Sequence, residues 1–293
     1  MPDNKIKIQK FPFSDAQFKQ RLKADTKFTY TPEEELEMCK TILGCIDLTT
    51  LEGSDTNEKV TKLCDTAKGF RDDSKGIPST ASVCVYSPFV ALAKDWLRGT
   101  PIHVAAVAGG FPAGQLPIDL KVAEVEYAVA QGVDEIDMVI SRGAFLEGDY
   151  QRVFDEIRAI RKACPKQKLK VILETGELQT PQNIYLASQL AIYAGADFLK
   201  TSTGKIAVNA TPEAFWVMMF AIRQHFQETG KKVGIKVAGG VSELTQAYTY
   251  LHIWKHNMGK EWATPELFRV GTSRLANKVF EKIQDFFCIS VGL

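Results

Sequence analysis

The sequence is poor in the groups that metal-centred and disulfide-built proteins rely on. It has four histidines, and His252 and His256, four apart in HIWKH, lack both an adjacent glutamate and a nearby third ligand, so they read as packing or surface residues. Six cysteines (Cys39, Cys45, Cys64, Cys84, Cys164 and Cys288) are widely spaced, form no Cys-x-x-Cys pair and have mostly apolar neighbours, which points to reduced core thiols. No stretch approaches the ~20 apolar residues of a membrane span, and the start, MPDNKIKIQK, contains no apolar run of a secretory signal. An excess of one charge is also missing. Thirty-six Lys plus Arg stand against 35 Asp plus Glu, a net charge of +1, so bulk electrostatics draw the chain to neither nucleic acid nor an anionic membrane. The expectation is a cytoplasmic protein with no metal, no cofactor, no nucleic acid and no membrane among its partners, and with self-association left open.

What is present is alternation. With 293 residues, 45% hydrophobic and 24% charged, the chain can bury a large core without staples. From about residue 40, eight β-rich runs alternate with helix-period segments: residues 44–49, 81–87, 102–109, 134–141, 169–175, 197–203, 232–239 and 267–273. Between them, Ile118, Val122, Val125 and Val129 recur at helical spacing, as do Val153, Ile157, Ile160 and Cys164, and Leu275, Val279, Ile283 and Phe286 or Phe287. Eight strands each followed by a helix predict a (β/α)8 TIM barrel, with a doubly wound open sheet as the alternative. Residues 1–40 are polar and read as a helical extension packed on a barrel formed by residues 41–293. In TPEEELEMCK, Thr31 suits a cap, Pro32 the first helical position, and three glutamates the positive end of the helix dipole.

Charges stand where barrel strands should be apolar. Side chains alternate between the interior and the helix layer, so turning Ile235 and Val237 toward the helices sends Lys236 inward between Gly234 and Ala238. By the same alternation Asp137 points inward from EIDMVI, Asp47 and Thr49 from CIDLT, Lys200 from DFLKTST with Phe198 and Ser202, and Lys170 from the fifth strand. Any one of these could be a strand-end charge reaching solvent. Together, two lysines and two carboxylates in one interior make a costly cluster that calls for a purpose, with Lys170 as a neutralising partner of Asp137 or Asp47. Two close lysines disfavour each other's protonation, burial disfavours both charges, and a neutral amine attacks a carbonyl.

A phosphate would find glycines near the same end. Gly239 and Gly240 follow the seventh strand, Gly271, Thr272 and Ser273 end the eighth and open the last helix, and Thr203, Gly204 and Lys205 follow the sixth. Barrels frequently bind phosphate through these loops and a helix N-terminus. STGKI is no P-loop, because Ile206 follows Lys205 and the upstream glycine is absent, and GGFPAG lacks dinucleotide-binding spacing and reads as a flexible loop near the pocket.

The runs IDLTTL, VCVY, GFPAG, EIDMVI, ETGEL, DFLKTSTGK, VNATPE, GIKVAGG and FRVGTS resemble the deoxyribose-phosphate aldolase family, in the same order and over most of the chain from about Leu43 onward. Length, extension and the WATPELFRVG segment are closer to the animal branch. The resemblance implies the barrel fold, a Schiff base on Lys200, a pKa-lowering partner in Lys236 and a proton relay through Asp137. Asp47, Lys205 and the glycine loops also match family site positions. The implied substrate is a small phosphorylated sugar, 2-deoxy-D-ribose 5-phosphate, cleaved reversibly to D-glyceraldehyde 3-phosphate and acetaldehyde. Val237 replaces a proline frequent in the family, Ser242 an arginine of bacterial members, and the ending FFCISVGL has no tail tyrosine. Competing readings are a metal-dependent aldolase, which four scattered histidines do not favour, a phosphate-binding isomerase, which has no need of two interior lysines, and a barrel serving only as a binding protein.

Overall fold

The computed structural model describes residues 9–291, with side chains up to Cys288. The stretch MPDNKIKI and the last two residues lie outside it, and with them part of the readings of the chain start and tail.

Eight parallel strands close on themselves in sequence order: β1 (Ile46–Thr49), β2 (Ser82–Tyr86), β3 (His103–Ala108), β4 (Glu135–Val139), β5 (Lys168–Ile172), β6 (Phe198–Lys200), β7 (Gly234–Ala238) and β8 (Phe268–Thr272). Seven lie within their expected runs, and β5 begins one residue before the run at 169–175. Pairing of β1 with β8, Asp47 opposite Gly271, closes the barrel and excludes the open-sheet alternative. Outward positions of the strands, such as Ile136, Met138, Ile235 and Val237, are fully buried in one continuous core with the helices. Inward positions near β1 to β3 form a second, smaller apolar cluster of Leu51, Cys84, Ala105 and Val107, against which Tyr86 and Phe111 pack. Five cysteines are buried, and Cys288 is exposed in place of the core position expected for it.

Local chemistry explains the helix ends. Thr31 caps helix Pro32–Gly44 by accepting the Glu34 N–H, while the Glu34 carboxylate returns a bond to the Thr31 backbone, so two orphan donors are satisfied reciprocally. Thr211 caps helix Pro212–Thr229 by accepting the Ala214 N–H, without a returning bond. Helix Pro32–Gly44 runs through residue 40 unbroken and packs on helix Leu275–Val291. Before it, helix Asp15–Asp25 buries Phe18 and Leu22, and Phe11 and Phe13 contact Tyr185, Trp216 and Phe220 edge-on or tilted.

One helical stripe differs from expectation. In helix Ile118–Ala130 the deepest residues are Lys121, Val125 and Ala128, while Ile118 is 38% exposed. Lys121 can be buried because its ammonium donates to Glu156 (2.9 Å) and Ser141 Oγ (2.8 Å), and Ser141 donates to the same carboxylate at 2.6 Å. The GFPAG loop is likewise more constrained than a flexible loop: Gly110 N–H donates to Glu124, Gly114 N–H to the Gly110 carbonyl, and Arg142 to the Pro112 carbonyl.

Candidate active site

Lys200 ends β6 and Lys236 stands directly opposite it in the register of β7. Both ammonium groups converge on one oxygen, Asp137 Oδ2, at 2.7 and 2.8 Å, and Lys236 also meets Asp47 Oδ2 at 2.6 Å. Lys170 on β5 donates to the other Asp137 oxygen at 2.8 Å, pairs with Glu135, and lies 3.7 Å from Asp47. Arg269 on β8 reaches Asp47 with Nη1 (2.6 Å) and Glu135 with Nη2 (2.8 Å), and Glu135 in turn accepts a contact from His103 Nδ1 at 2.8 Å. The barrel interior thus gathers three carboxylates and four cations, all buried, with half-exposed His103 beside them.

The seven charges do not share their field evenly. Burial lowers the Lys200 pKa; Asp137 opposes that and Lys236 reinforces it, and the net direction is downward. Burial would lower Lys236 as well, but contact with both Asp137 and Asp47 outweighs it, and its pKa rises. The expectation that two close lysines depress each other therefore holds for one member only: Lys236 has two carboxylates and stays a cation, while Lys200 has half of one. Lys170 is raised too, against burial, by Asp137, Glu135 and Asp47. Burial opposes ionisation of Asp47, yet Lys236, Arg269 and Lys170 hold its pKa down to about 2, and Asp137 and Glu135 are held well below the usual carboxylate range by the same cations.

Above the lysine tips a cavity of about 570 Å³ opens at the C-terminal ends of the strands. Lys200, Lys236, Thr49, Thr203, Gly204, Lys205, Gly239, Gly240, Gly271 and Ser273 all line it, while Asp47 and Asp137 lie buried, touching the lysines that do. Contacts distinguish these positions. Thr49 Oγ1 donates to the Asp47 carbonyl (2.8 Å), Thr203 is bonded to Glu174, and Lys205 stands apart from the lysine pair, against Glu52 at 3.0 Å. A Cβ on Gly271 would come within 3.0 Å of Lys236 Cε, so that glycine makes room for the lysine stem. Gly239 and Gly240 have φ of 84° and 77°, a left-handed backbone that glycine adopts without strain. The N–H groups of Ser242 and Glu243 are taken by Gln246 Oε1. Arg274, exposed at the cavity wall, makes no ion pair among the described residues.

Sequence reasoning missed Glu135, Arg269 and Glu174. The first two were within its reach, since Glu135 precedes Asp137 by two and Arg269 precedes Gly271 by two, on the same inward alternation.

A buried amine of lowered pKa, a carboxylate on its nitrogen and a second lysine held cationic are the components of imine chemistry on a carbonyl substrate. The model of the DeoC/LacD family aldolases matches residues 41–250. The chain belongs to this aldolase family. The aldolase is 46% identical to human deoxyribose-phosphate aldolase over 249 residues, spanning 81% of this chain and 78% of the human protein, and 45% identical to the mouse enzyme over the same shares. Among solved structures, one from Coccidioides immitis, provisionally described as a deoxyribose-phosphate aldolase, superposes with a TM-score of 0.72 at 28% identity, covering 93% of this aldolase and 99% of that chain.

Proposed function

We propose that the aldolase cleaves 2-deoxy-D-ribose 5-phosphate reversibly to D-glyceraldehyde 3-phosphate and acetaldehyde through a Schiff base on Lys200. The observation that carries this reading is the convergence of Lys200 and Lys236 on one oxygen of Asp137 at the floor of the cavity. The neutral Lys200 amine adds to C1 of the open-chain sugar, and loss of water gives an iminium. Removal of the C3 hydroxyl proton then lets the C2–C3 bond break, its electrons flow into the iminium to form an enamine, and the phosphorylated aldehyde leaves. Protonation of the enamine carbon and hydrolysis release acetaldehyde and restore the amine.

Asp137 and the Lys236 ammonium stand where protons must move, and a water between them and the C3 oxygen completes the relay. Asp47 holds Lys236 in place. The phosphate end lies toward Gly204, Gly239, Gly240 and Ser273, with Lys205 and Arg274 as cations at the rim, Arg274 standing in for the arginine absent at Ser242. Every residue in this reading comes from one chain, so self-association is compatible with it but not required. We place the activity in the cytoplasm, where free thiols such as these six persist; among the described residues no helix is long and apolar enough to cross a membrane.

Borohydride reduction in the presence of acetaldehyde, followed by peptide mass spectrometry, tests the assignment. The expected adduct is an ethyl group on Lys200 with loss of activity; an adduct confined to any other lysine overturns it.

A further inference from the structure

Glu174 lies two residues beyond β5 and is fully buried, yet it is absent from the cavity wall. Its backbone is left-handed, φ 57° and ψ 61°, a conformation that a side chain such as glutamate rarely adopts. The turn leaves the flanking backbone paired with the strand that carries the nucleophile: Leu173 N–H donates to the Lys200 carbonyl (2.9 Å) and Thr175 N–H to the Thr201 carbonyl (3.0 Å). Between these two bonds the Glu174 carboxylate accepts from the Thr203 N–H (3.1 Å) and the Thr203 hydroxyl (2.5 Å). Thr203 Oγ1 then accepts the Lys205 N–H at 3.1 Å. From the other side Arg142, at the start of the short helix Arg142–Leu146 after β4, reaches Glu174 at 3.3 Å, Glu177 at 2.5 Å and the Pro112 carbonyl at 3.0 Å. One carboxylate thus joins the segments that follow β3, β4, β5 and β6. Such a buried acceptor, fully used and set in an unfavoured backbone, marks a place where geometry is held at the expense of local comfort.

We propose that Glu174 is a positioning residue for the phosphate end of the substrate, fixing the loop from which Thr203, Gly204 and Lys205 face the cavity. It touches no substrate and acts through Thr203. The proposal rests on the reading that the loops after β6 to β8 receive a phosphate. Without the carboxylate, the Thr203 N–H loses its partner and the loop must be ordered at the moment of binding, a cost that falls on capture of the phosphorylated sugar and not on imine formation at Lys200.

Steady-state kinetics on 2-deoxyribose 5-phosphate and on 2-deoxyribose, in wild type, E174Q, E174G and R142M, test it. Glycine accepts the left-handed backbone, so E174G is expected to fold, and E174Q and R142M carry the same test with the backbone unrelaxed. The expected result is a KM for the phosphorylated sugar raised about tenfold or more in both Glu174 variants, less in R142M, with kcat within about threefold and kcat/KM for 2-deoxyribose within about twofold. Unchanged KM, or a parallel fall for both sugars, overturns the role of Glu174. Equal kcat/KM for the two sugars in wild type would instead remove the phosphate reading itself, and it would be seen before any variant is compared.

Discussion

Replacing Lys236 by leucine takes one charge out of the barrel while leaving most of the side-chain volume. Lys200 and Lys236 both bond Asp137 Oδ2, at 2.7 and 2.8 Å, so their nitrogens are at most about 5.5 Å apart. At that separation and an effective dielectric of about 20, two unit charges repel by about 3 kcal/mol, or roughly two pKa units. A second effect has the same sign. Asp137 Oδ2, no longer shared, turns wholly to Lys200 and favours its ammonium, whose ordinary pKa near 10.4 is then more closely approached. K236L should therefore raise the pH midpoint for borohydride trapping of acetaldehyde on Lys200 by about one to two units and nearly abolish activity at neutral pH. The assay follows adduct yield from about pH 5 to about pH 10, a range that brackets ordinary histidine and lysine values, in both proteins with circular dichroism as the control for folding. A folded K236L with lowered adduct yield but an unmoved midpoint would refute the electrostatic role and leave Lys236 as a proton donor alone.

Other outcomes are open to simpler measurements. Exhaustive chelation should leave full activity, since His, Cys, Asp and Glu form no metal-holding group among the described residues; loss restored by added zinc would reinstate a metal-dependent mechanism. K121M takes from Glu156 its one buried cation, leaving the exposed Arg152 and the Ser141 hydroxyl, and should cost about 3 kcal/mol, roughly a 5 °C drop in Tm for a chain of this length; an unchanged Tm in calorimetry would show that Glu156 does not depend on Lys121. Asp47 has its pKa lowered from 3.8 to about 2, so its stabilisation is complete above the unfolded value and disappears as pH falls through the folded one. Urea titrations should show stability falling between about pH 4 and pH 2 in wild type and less steeply in D47N, and equal slopes would contradict this linkage.

Period-two alternation made Lys200, Lys236, Lys170, Asp137 and Asp47 legible, because a charge that alternates with mostly apolar outward residues has only the interior to enter. The same rule applied to Glu135 and Arg269, but both lie early in their strands, where a charge ordinarily reaches solvent, and nothing in the one-dimensional pattern says that this end of the barrel is plugged. Lys121 was illegible for a different reason: a lysine among valines on a helix reads as a solvated position until a partner such as Glu156, thirty-five residues away, is seen beside it. Glu174 depends on a left-handed backbone that no side-chain periodicity encodes. Glycine placement was only half readable, since Gly239 and Gly240 suit a loop, whereas the service Gly271 gives to the Lys236 stem needs three-dimensional contact.

The odd number of charges in the interior has a consequence for the direction of the chemistry. With Lys200 as a free amine, three cations face three carboxylates and the cavity floor is balanced. Iminium formation adds one positive charge that no carboxylate is left to match, whereas the enamine produced by cleavage is neutral. On the proposed route each turnover leaves balance twice, at the sugar iminium and again at the acetaldehyde iminium formed when the enamine carbon is protonated, and the low-dielectric floor resists both cationic intermediates more than the neutral species on either side of them. The arrangement proposed to leave Lys200 nucleophilic therefore also shortens the life of each iminium, driving the first on to carbon–carbon cleavage or back to free sugar and the second on to hydrolysis or back to the enamine.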